Sequence, residues 1–395
     1  MKPILKKLSK AWLAKKTSNF KRTLFNSIDF NTKIIGIKGA RGSGKTTILH
    51  QYAKSSSFKA SQILYVSCDS PVMVGVDLFE LATKFEQYGG KLLLIDEIHK
   101  SDDFSSHIKS MYDFLDIQVV FSGSSAIILN HNSADLSRRA TMHYLPPMSL
   151  REFIALKENI HLKSYTLEEI VKEHEDISFE ILQQIKPLQH YASYIEHGAY
   201  PFFKESIADY PTRLLDVINT TIESDLSAIF NIDASKQNIL KRVLGMLCST
   251  SPYEISKSKL SQDTEISWAT LSKYLTYMQQ GDLINLIDAP TNHKKLNKAS
   301  KMLLSNPNLF YVLCAMPNIG SVRESYFVSQ LKHLHSIKYH DRGDFICDEK
   351  YVFEIGGASK GNRQIKDVKN SFVVRDDIET GYNNIIPLWL FGFLY

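Results

Sequence analysis

Residues 39–46 have the clearest chemical potential in this sequence. They read Gly-Ala-Arg-Gly-Ser-Gly-Lys-Thr and fit G-x-x-x-x-G-K-[S/T], a pattern whose glycines let backbone amides approach an oxyanion. An apolar run at 33–38 precedes them and a helical pattern at 46–53 follows, so loop amides and a helix N-terminus would face one point. The pattern predicts a phosphate-binding loop that comprises Gly39, Ala40, Arg41, Gly42, Ser43, Gly44, Lys45, Thr46 and Thr47.

Two side chains of this loop are predicted to hold a nucleoside triphosphate. The ammonium group of Lys45 would reach the β- and γ-phosphates, and the hydroxyl of Thr46 would ligate Mg²⁺. We therefore expect ATP and Mg²⁺ as ligands. The alternative is an ordinary glycine-rich turn, which the flanking strand and helix make the weaker interpretation.

A second polar cluster follows about fifty residues later, where the apolar run 91–95 ends in Asp96-Glu97. A buried strand that delivers one carboxylate to a metal-bound phosphate site has this form. Asp96 is predicted to support Mg²⁺, and Glu97 to act as the general base that polarises the attacking water. Alone, an apolar strand that ends in two acids is a weak signal, but its distance from the loop makes it specific.

Two further groups complete the predicted catalytic set. Ser124 follows a fourth apolar run and would contact the γ-phosphate or the water, or merely cap the next helix. One of Arg138 and Arg139 would supply positive charge to the transition state or to ATP-bound neighbours, or the two would form a solvated pair. The predicted catalytic residues are Lys45, Glu97, Ser124 and one of these two arginines, with Thr46 and Asp96 as metal ligands.

Alternating apolar runs and helical patterns predict the elements that position these residues. Strands near 33–38, 63–68, 91–95, 118–121 and 142–145 alternate with helices, which is typical of a parallel α/β sheet. The polar clusters at 39–46, 96–97 and 122–125 fall at the carboxyl ends of these strands, where such sheets bind ligands.

The pattern divides the chain into five segments. The basic segment 1–30 has leucines and a tryptophan near helical spacing, which favours a helix with a solvated basic face packed on the core over one that touches nucleic acid or lipid. The sheet core spans 31–148, a helical lid 149–232, and three helices with a two-stranded wing 233–305. Residues 306–395 predict a C-terminal α/β domain that ends in a buried strand.

The 233–305 segment predicts a winged helix, which binds DNA or packs on protein. Ser267 would cap its third helix, 268–280. A DNA-binding face would use Ser267, Thr270, Lys273, Tyr274, Lys257 and Lys259 from the helices and His293, Lys294, Lys295 and Lys298 from the wing.

In the C-terminal domain, Glu324, Asp344 and Glu354 are spaced as in nucleases that hold a metal on three acids. The lysine expected two residues after the last acid is missing, because Gly356 stands there; Lys360 is nearby. A non-catalytic remnant is favoured over an ATP-regulated nuclease.

Composition is that of an ordinary globular chain of 395 residues with net charge +5, which permits a nucleic-acid partner without requiring one. No stretch approaches the length of a membrane helix. Four scattered cysteines argue for a reducing compartment and against a zinc site or a disulfide framework, so we expect a cytoplasmic protein. The four are Cys68, Cys248, Cys314 and Cys347.

Together these features resemble the prokaryotic AAA-type ATPases that join an ATPase core to a winged helix and a C-terminal domain of unknown function with a restriction-endonuclease-like core. The resemblance implies nucleotide and hydrolysis roles for Lys45, Thr46, Asp96 and Glu97, and gives Arg139 the arginine role. Many members keep a lysine where Ala358 stands here, which weakens the nuclease hypothesis. The motifs that carry it are at 39–46, 93–99, 121–126, 136–140, 145–153 and 343–357.

Three hypotheses follow from the sequence. The first is an Mg²⁺-dependent ATPase whose hydrolysis moves the winged helix and C-terminal domain. The second is an ATP-controlled switch with little turnover that binds DNA or a protein partner, and the third is an ATP-regulated nuclease. An oligomer is compatible with each of them.

Overall fold

The structure is a computed structural model that divides into two compact units, Met1–Pro146 (unit 1) and Pro147–Tyr395 (unit 2). The residues it describes are 2–124, 138–249, 253–254, 257–288 and 301–395.

Unit 1 contains a five-stranded parallel sheet in the order β2-β3-β4-β1-β5. Strands β1, β3 and β4 are almost entirely buried, and this explains their apolar runs. The parallel α/β fold expected from the sequence is confirmed. The strands are β1 (Ile34–Gly39), β2 (Ile63–Ser67), β3 (Leu92–Asp96), β4 (Gln118–Ser124) and β5 (Thr141–Leu145).

Five helices described in unit 1 surround this sheet. The helix that follows the loop packs Ile48 and Leu49 against Ile35 and Ile37 of β1 in one continuous core. Short 3₁₀ turns lie at Ala60–Gln62, Pro71–Met73 and Ile98–Lys100. The helices are α1 (Pro3–Ala14), α2 (Thr23–Ser27), α3 (Lys45–Ser55), α4 (Leu78–Gln87) and α5 (Phe104–Phe114).

The basic N-terminal segment forms helix α1, which packs on β2. Leu5, Ser9 and Leu13 recur every four residues and are its buried side chains, so one face meets the core and the lysine face meets solvent. Ser9 Oγ also accepts a hydrogen bond from the Tyr65 backbone N–H (2.9 Å). The segment is therefore an integral part of unit 1.

Unit 2 begins with helices, as expected for the region after residue 149. Ser149 and Glu152 form a capping box at the first of them, and Thr166 and Glu169 form another at the second. A π-helical stretch at Thr221–Leu226 joins two helices into a longer rod. The helices are α6 (Leu150–Glu158), α7 (Leu167–Leu182), α8 (Pro187–His197), α9 (Tyr210–Thr220), α10 (Ser227–Phe230), α11 (Ala234–Ser249), α12 (Lys257–Thr264), α13 (Trp268–Gln280), α14 (Pro307–Leu313) and α15 (Ile319–Leu331).

Helices α11, α12 and α13 precede a small antiparallel sheet in the order β6-β8-β7. The Ser267 hydroxyl accepts from the Thr270 N–H, so Ser267 caps α13 as predicted. The wing residues His293, Lys294, Lys295 and Lys298 lie outside the described residues. The strands are β6 (Tyr253–Glu254), β7 (Ile284–Ile287) and β8 (Lys301–Leu304).

A second five-stranded sheet lies in unit 2, in the order β13-β12-β11-β10-β9. Strands β9, β10 and β11 pair antiparallel, and β11, β12 and β13 pair parallel. The predicted terminal strand is wrong beyond Pro387: Leu388–Phe393 form a buried 3₁₀ helix. The Tyr395 carbonyl accepts from Ser149 Oγ (2.7 Å), so the predicted lid and the C-terminus share contacts. The strands are β9 (Ile337–Tyr339), β10 (Phe345–Cys347), β11 (Tyr351–Gly356), β12 (Ser371–Arg375) and β13 (Ile385–Pro387).

The cysteine interpretation is corrected by a disulfide between Cys248 and Cys314. Cys248 lies near the end of α11 and Cys314 caps α14, with their Cα atoms 5.2 Å apart. Sixty-six residues separate them in sequence, so spacing could not reveal the pair. The inference from scattered cysteines to a reducing compartment therefore loses its basis.

Across the described residues, each helix is too short or too polar to cross a membrane.

Candidate functional site

The loop between β1 and α3 has the backbone geometry that its glycines predict. Gly42 (φ 80°) and Gly44 (φ 102°) occupy the left-handed region, which a side chain would disfavour. A Cβ on Gly39 would lie 2.4 Å from the Leu145 carbonyl oxygen, so the neighbouring strand β5 also requires glycine there. Ala40 and Ser43 are buried and Arg41 is half-buried, whereas Thr46 and Thr47 are exposed in the first turn of α3.

Lys45 begins α3, and its side chain folds back over the loop. The residue is buried, and Nζ donates to the carbonyl oxygens of Gly39 (2.9 Å) and Ala40 (3.0 Å). These are neutral acceptors, so a phosphate group that entered the loop would compete for the ammonium with the advantage of its charge.

Asp96 ends β3 and is the centre of a hydroxyl network. Its Oδ2 accepts from Thr46 Oγ1 (2.7 Å) and from Tyr65 Oη (3.0 Å), and its Oδ1 accepts from Ser122 Oγ. Burial and the Asp96 carboxylate raise the pKa of Tyr65, so its hydroxyl stays protonated and donates. Hydroxyl donors orient a carboxylate without cancelling its charge. Thr46 and Asp96 thus present two hard oxygen ligands side by side, which suits Mg²⁺ completed by phosphates and water.

Glu97 adopts a left-handed backbone conformation (φ 51°, ψ 44°) immediately after β3. This is uncommon for a residue with a side chain and costs on the order of 1–2 kcal/mol. The reversal is held by Ser122, whose hydroxyl accepts from the Glu97 N–H (3.3 Å). His99 Nδ1 lies 3.4 Å from Glu97 Oε2, and the His99 side chain is buried. The carboxylate therefore has a fixed orientation beside the site.

Strand order brings Ser124 to the loop. β4 lies between β1 and β3, and Ser124 pairs in register with Gly39. It is buried at the carboxyl end of β4, level with the start of the phosphate-binding loop. The predicted sensor position is thus adjacent to the loop, while residues 125–137 lie outside the described residues.

Arg139 lies at the amino end of the strands, the end of the sheet opposite the phosphate-binding loop. It precedes β5, whose first residue, Thr141, pairs with Ile35 near the start of β1. Gly39 lies four positions after Ile35 along β1, or roughly 13 Å away at the usual rise. Arg139 Nε pairs with Asp113 Oδ1 (3.2 Å) beside a cavity of about 520 Å³. Lining this cavity are Thr32, Lys33, Tyr112, Arg138, Arg139, Ala140, Thr141 and Met142.

Three residues at the site were not identified from the sequence. Ser122 and Tyr65 hold Asp96, and Arg22 donates from Nη1 to the Ser43 carbonyl (2.7 Å) and from Nη2 to the Pro146 carbonyl (2.7 Å). Ser122 had a readable signal, because it lies in the same polar strand end as Ser124. Tyr65 and Arg22 had none, since the Tyr65 contact depends on the pairing of β2 with β3 and the Arg22 contacts depend on how the segment after α1 folds against the loop.

The three C-terminal acids lie near one another with two lysines among them. Lys301 Nζ lies 2.5 Å from Glu324 Oε2 and 3.4 Å from Asp344 Oδ1, and Lys360 pairs with Glu354. Burial raises the pKa of Glu324 to about 7, although Lys301 opposes this shift. Within the described residues, no group of three or more histidine, cysteine, aspartate or glutamate side chains could hold a metal ion.

Two family profiles match parts of the chain. Residues 31–154 match the model of an AAA domain, so the sheet-and-loop region of unit 1 is similar to AAA domains. Residues 188–319 match a domain of unknown function, DUF8612, which covers part of the predicted lid, the predicted winged helix and the start of the C-terminal segment.

One relative and two solved structures complete the comparison. The uncharacterized protein MJ1637 of Methanocaldococcus jannaschii is 24% identical over 402 residues, 92% of this chain and 84% of that protein. AMPPCP-bound DnaA from Aquifex aeolicus shares 13% identity at a TM-score of 0.24, over 69% of this chain and 86% of that one. The S. cerevisiae Hsp104–ADP complex shares 15% identity at a TM-score of 0.32, over 69% of this chain and 41% of that one. At these TM-scores the two structures carry no conclusion about this protein.

Proposed function

We propose that this protein binds ATP with Mg²⁺ at the loop between β1 and α3 and hydrolyses it. The observation that carries the proposal is the 2.7 Å contact between Thr46 Oγ1 and Asp96 Oδ2. These residues are fifty positions apart: Thr46 lies in the first turn of α3, which follows β1, and Asp96 ends β3, which is not a neighbour of β1 in the sheet. The AAA-domain match over the same region supports the same assignment.

In this proposal, the residues of 39–47 bind the triphosphate. Backbone amides of the loop and the N-terminus of α3 face the phosphates, and Lys45 exchanges its two carbonyl acceptors for phosphate oxygens. Thr46 and Asp96 hold Mg²⁺, which when bound neutralises developing charge on the phosphate oxygens. Ser122 and Tyr65 keep the Asp96 carboxylate oriented.

Glu97 is the proposed general base. Its carboxylate accepts a proton from the water whose oxygen bonds to the γ-phosphorus, while the bond from that phosphorus to the bridging oxygen breaks. The left-handed backbone at Glu97 and the nearby His99 ring fix the position of the carboxylate. Ser124, level with Gly39, is the proposed sensor of the γ-phosphate or the water.

Arg139 is proposed to act on the ATP of a neighbouring copy. Arg139 lies at the amino end of β5, and roughly 13 Å of strand separates that end of the sheet from the loop. This distance favours action on a neighbour's ATP over action on the ATP of its own chain. Arginine placed at a developing phosphoryl charge stabilises the transition state. The proposal therefore includes an oligomer.

The remaining domain assignments are also proposals: a core at 31–148, a lid at 149–232, a winged helix at 233–305 and an endonuclease-like domain at 306–395. Three helices and a small antiparallel sheet support the winged helix, whose partner would be DNA or protein. Arg22 bridges the loop carbonyl of Ser43 and that of Pro146, the last residue of unit 1. A change in the loop would thus reach the point where the chain leaves this unit.

The pairing of Lys301 and Lys360 with the C-terminal acids favours a domain without nuclease activity. An ammonium group between Glu324 and Asp344 takes the position from which those carboxylates would bind a divalent cation. We therefore do not extend the proposal to DNA cleavage.

The proposal is tested by steady-state ATP turnover in Mg²⁺ for Lys45→Ala, with Lys54→Ala as the matched control. Lys54 is an exposed lysine on the same helix. We expect a loss of at least about 100-fold for Lys45→Ala, comparable to removal of one well-placed transition-state donor, and little change for Lys54→Ala. Equal turnover in wild type and Lys45→Ala would refute hydrolysis at this site.

A further inference from the structure

Helix α1 leaves an apolar groove on the surface of unit 1. The groove lies between α1 and the 3₁₀ turn Pro71–Met73 and has a volume of about 260 Å³. Leu8 lines it with 44% of its surface exposed, and Val74, next to the turn, is 79% exposed. Other apolar lining residues are Leu5, Ala11, Trp12, Val72 and Met73.

The surroundings of this groove are strongly basic. Lys15 lines it at the C-terminal end of α1, and Lys2, before the helix, donates from Nζ to the Val72 carbonyl (3.2 Å). Residues 1–28 contain no acidic residue at all. Asp69, which accepts from Ser67 Oγ, is the acid closest in sequence to the lining residues Ser67 and Ser70. An occupant would therefore meet apolar walls under a positive field.

The floor of the groove leads to the nucleotide site by direct contacts. The Trp12 ring stacks on Tyr65 with 3.7 Å between centroids and 3° between planes. The Tyr65 hydroxyl donates to Asp96 Oδ2 (3.0 Å), and Trp12 also lies 4.5 Å from the ring of His50 on α3. Any shift of α1 thus moves a side chain that holds the proposed metal-binding carboxylate.

We propose that this groove is a regulatory docking site for an acidic amphipathic segment of a partner protein, whose binding is transmitted through Trp12 and Tyr65 to Asp96. The transmission rests on the proposed nucleotide function; the docking does not. Apolar residues of the segment fill the groove, and its carboxylates pair with the lysines of α1.

The shape and lining of the groove favour a peptide over DNA or lipid. DNA would be held by the lysines alone and would leave Leu8 and Val72 without apolar partners, because its backbone is a polyanion. A bilayer takes up an amphipathic helix by its outward apolar face, whereas these side chains line a groove. Amphipathic helices laid in apolar grooves are a common mode of protein recognition.

Binding is tested with a labelled synthetic helix that carries leucine on one face and glutamate on the other, followed by fluorescence anisotropy. The lysine version of the same peptide, a DNA duplex and phosphatidylserine vesicles are the competing probes. We expect the acidic peptide to bind at least tenfold more tightly than the basic one. Leu8→Glu should weaken it at least tenfold, and Leu215→Glu, an equally exposed leucine in unit 2 (41%), should not.

Three outcomes would overturn the docking proposal: equal binding of acidic and basic peptides, unchanged affinity in Leu8→Glu, or binding of DNA or vesicles in place of peptide. Lys15→Glu provides a second variant in case Leu8→Glu fails to fold, and it should also weaken binding of the acidic peptide.

Transmission is tested by the affinity for a Mg²⁺-bound non-hydrolysable ATP analogue with and without saturating peptide. We expect at least a fivefold change in wild type, the lower end of usual coupling, and less than a twofold change in Tyr65→Phe, which still binds peptide. No change in wild type would overturn transmission. If the protein bound no ATP analogue at all, the proposed function would fail, while the peptide result would still decide the docking.

Discussion

Each unit contains buried carboxylates, Asp96 in unit 1 and Glu324 and Glu354 in unit 2, and the partners of these carboxylates differ. In unit 1, Asp96 is held by the hydroxyls of Thr46, Tyr65 and Ser122. In unit 2, Glu324 and Asp344 share the ammonium group of Lys301, and Glu354 pairs with Lys360. Hydroxyls orient a carboxylate and leave its charge in place, whereas ammonium groups cancel it.

This difference predicts opposite behaviour toward cations. A carboxylate with retained charge beside a threonine hydroxyl attracts Mg²⁺. Carboxylates already paired with lysine gain little from a metal and lose a buried ion pair if it enters. Similar acidic residues can therefore form a binding site in one unit and a structural cluster in the other.

The largest expected effect is on stability, from Lys301→Met. At pH 8, where Glu324 is ionised, the substitution keeps the apolar bulk but removes the charge beside Glu324 and Asp344, leaving the buried Glu324 carboxylate uncompensated at a cost of about 3–5 kcal/mol. Urea denaturation measures the loss. Lys338→Met is the matched control, because its ion pair with Glu349 is exposed and worth under about 1 kcal/mol. Equal losses in the two variants would contradict the cluster's structural role.

The second effect is a pH dependence from Glu324. Burial raises its pKa from 4.5 to about 7, so the folded state holds a proton that the unfolded chain releases above pH 4.5. Stability should fall as pH rises from about 4.5 to 7, by roughly 3 kcal/mol at 1.36 kcal/mol per pKa unit. Glu324→Gln should lack this decline and the exposed Glu349→Gln should keep it, as measured by urea denaturation from pH 4 to 8. Parallel curves of unfolding free energy against pH for wild type and Glu324→Gln would contradict this role of Glu324.

The smallest effect concerns a hydroxyl of unit 1. Ser122→Ala removes one donor to Asp96 and the acceptor of the Glu97 N–H, a loss of about 1 kcal/mol. We expect about fivefold weaker binding of a Mg²⁺-bound ATP analogue by calorimetry. Ser106→Ala, at an exposed position of α5, is the control. Unchanged affinity in Ser122→Ala would show that the hydroxyl network does not position Asp96.

Much of unit 1 could be predicted because its strands are continuous apolar runs and its loop is a specific pattern. The fourth strand was predicted to end at Phe121, but it continues to Ser124. Its polar residues 122–124 are buried in the strand because Ser122 bonds to Asp96 and Ser124 pairs beside Gly39. In sequence, the polar end of a strand at a site resembles a loop, so the carboxyl end of β4 could not be predicted from residue types.

Other features depend on tertiary contacts that local pattern does not carry. The apolar run Leu388–Phe393 has the composition of a strand but forms a 3₁₀ helix, since periodicity does not separate the two in a short run. The Cys248–Cys314 disulfide and the position of Lys301 among the C-terminal acids join residues far apart in sequence. The position of Arg139 at the amino end of the strands could have been inferred, because Arg139 precedes the fifth strand in sequence.

The central claim is most directly tested by counting bound Mn²⁺, a substitute for Mg²⁺, by equilibrium dialysis with and without a non-hydrolysable ATP analogue. We predict one Mn²⁺ per chain that requires the analogue, is lost in Asp96→Asn and persists in Glu354→Gln. The absence of analogue-dependent Mn²⁺ in wild type, or an analogue-independent Mn²⁺ that disappears in Glu354→Gln, would contradict the account.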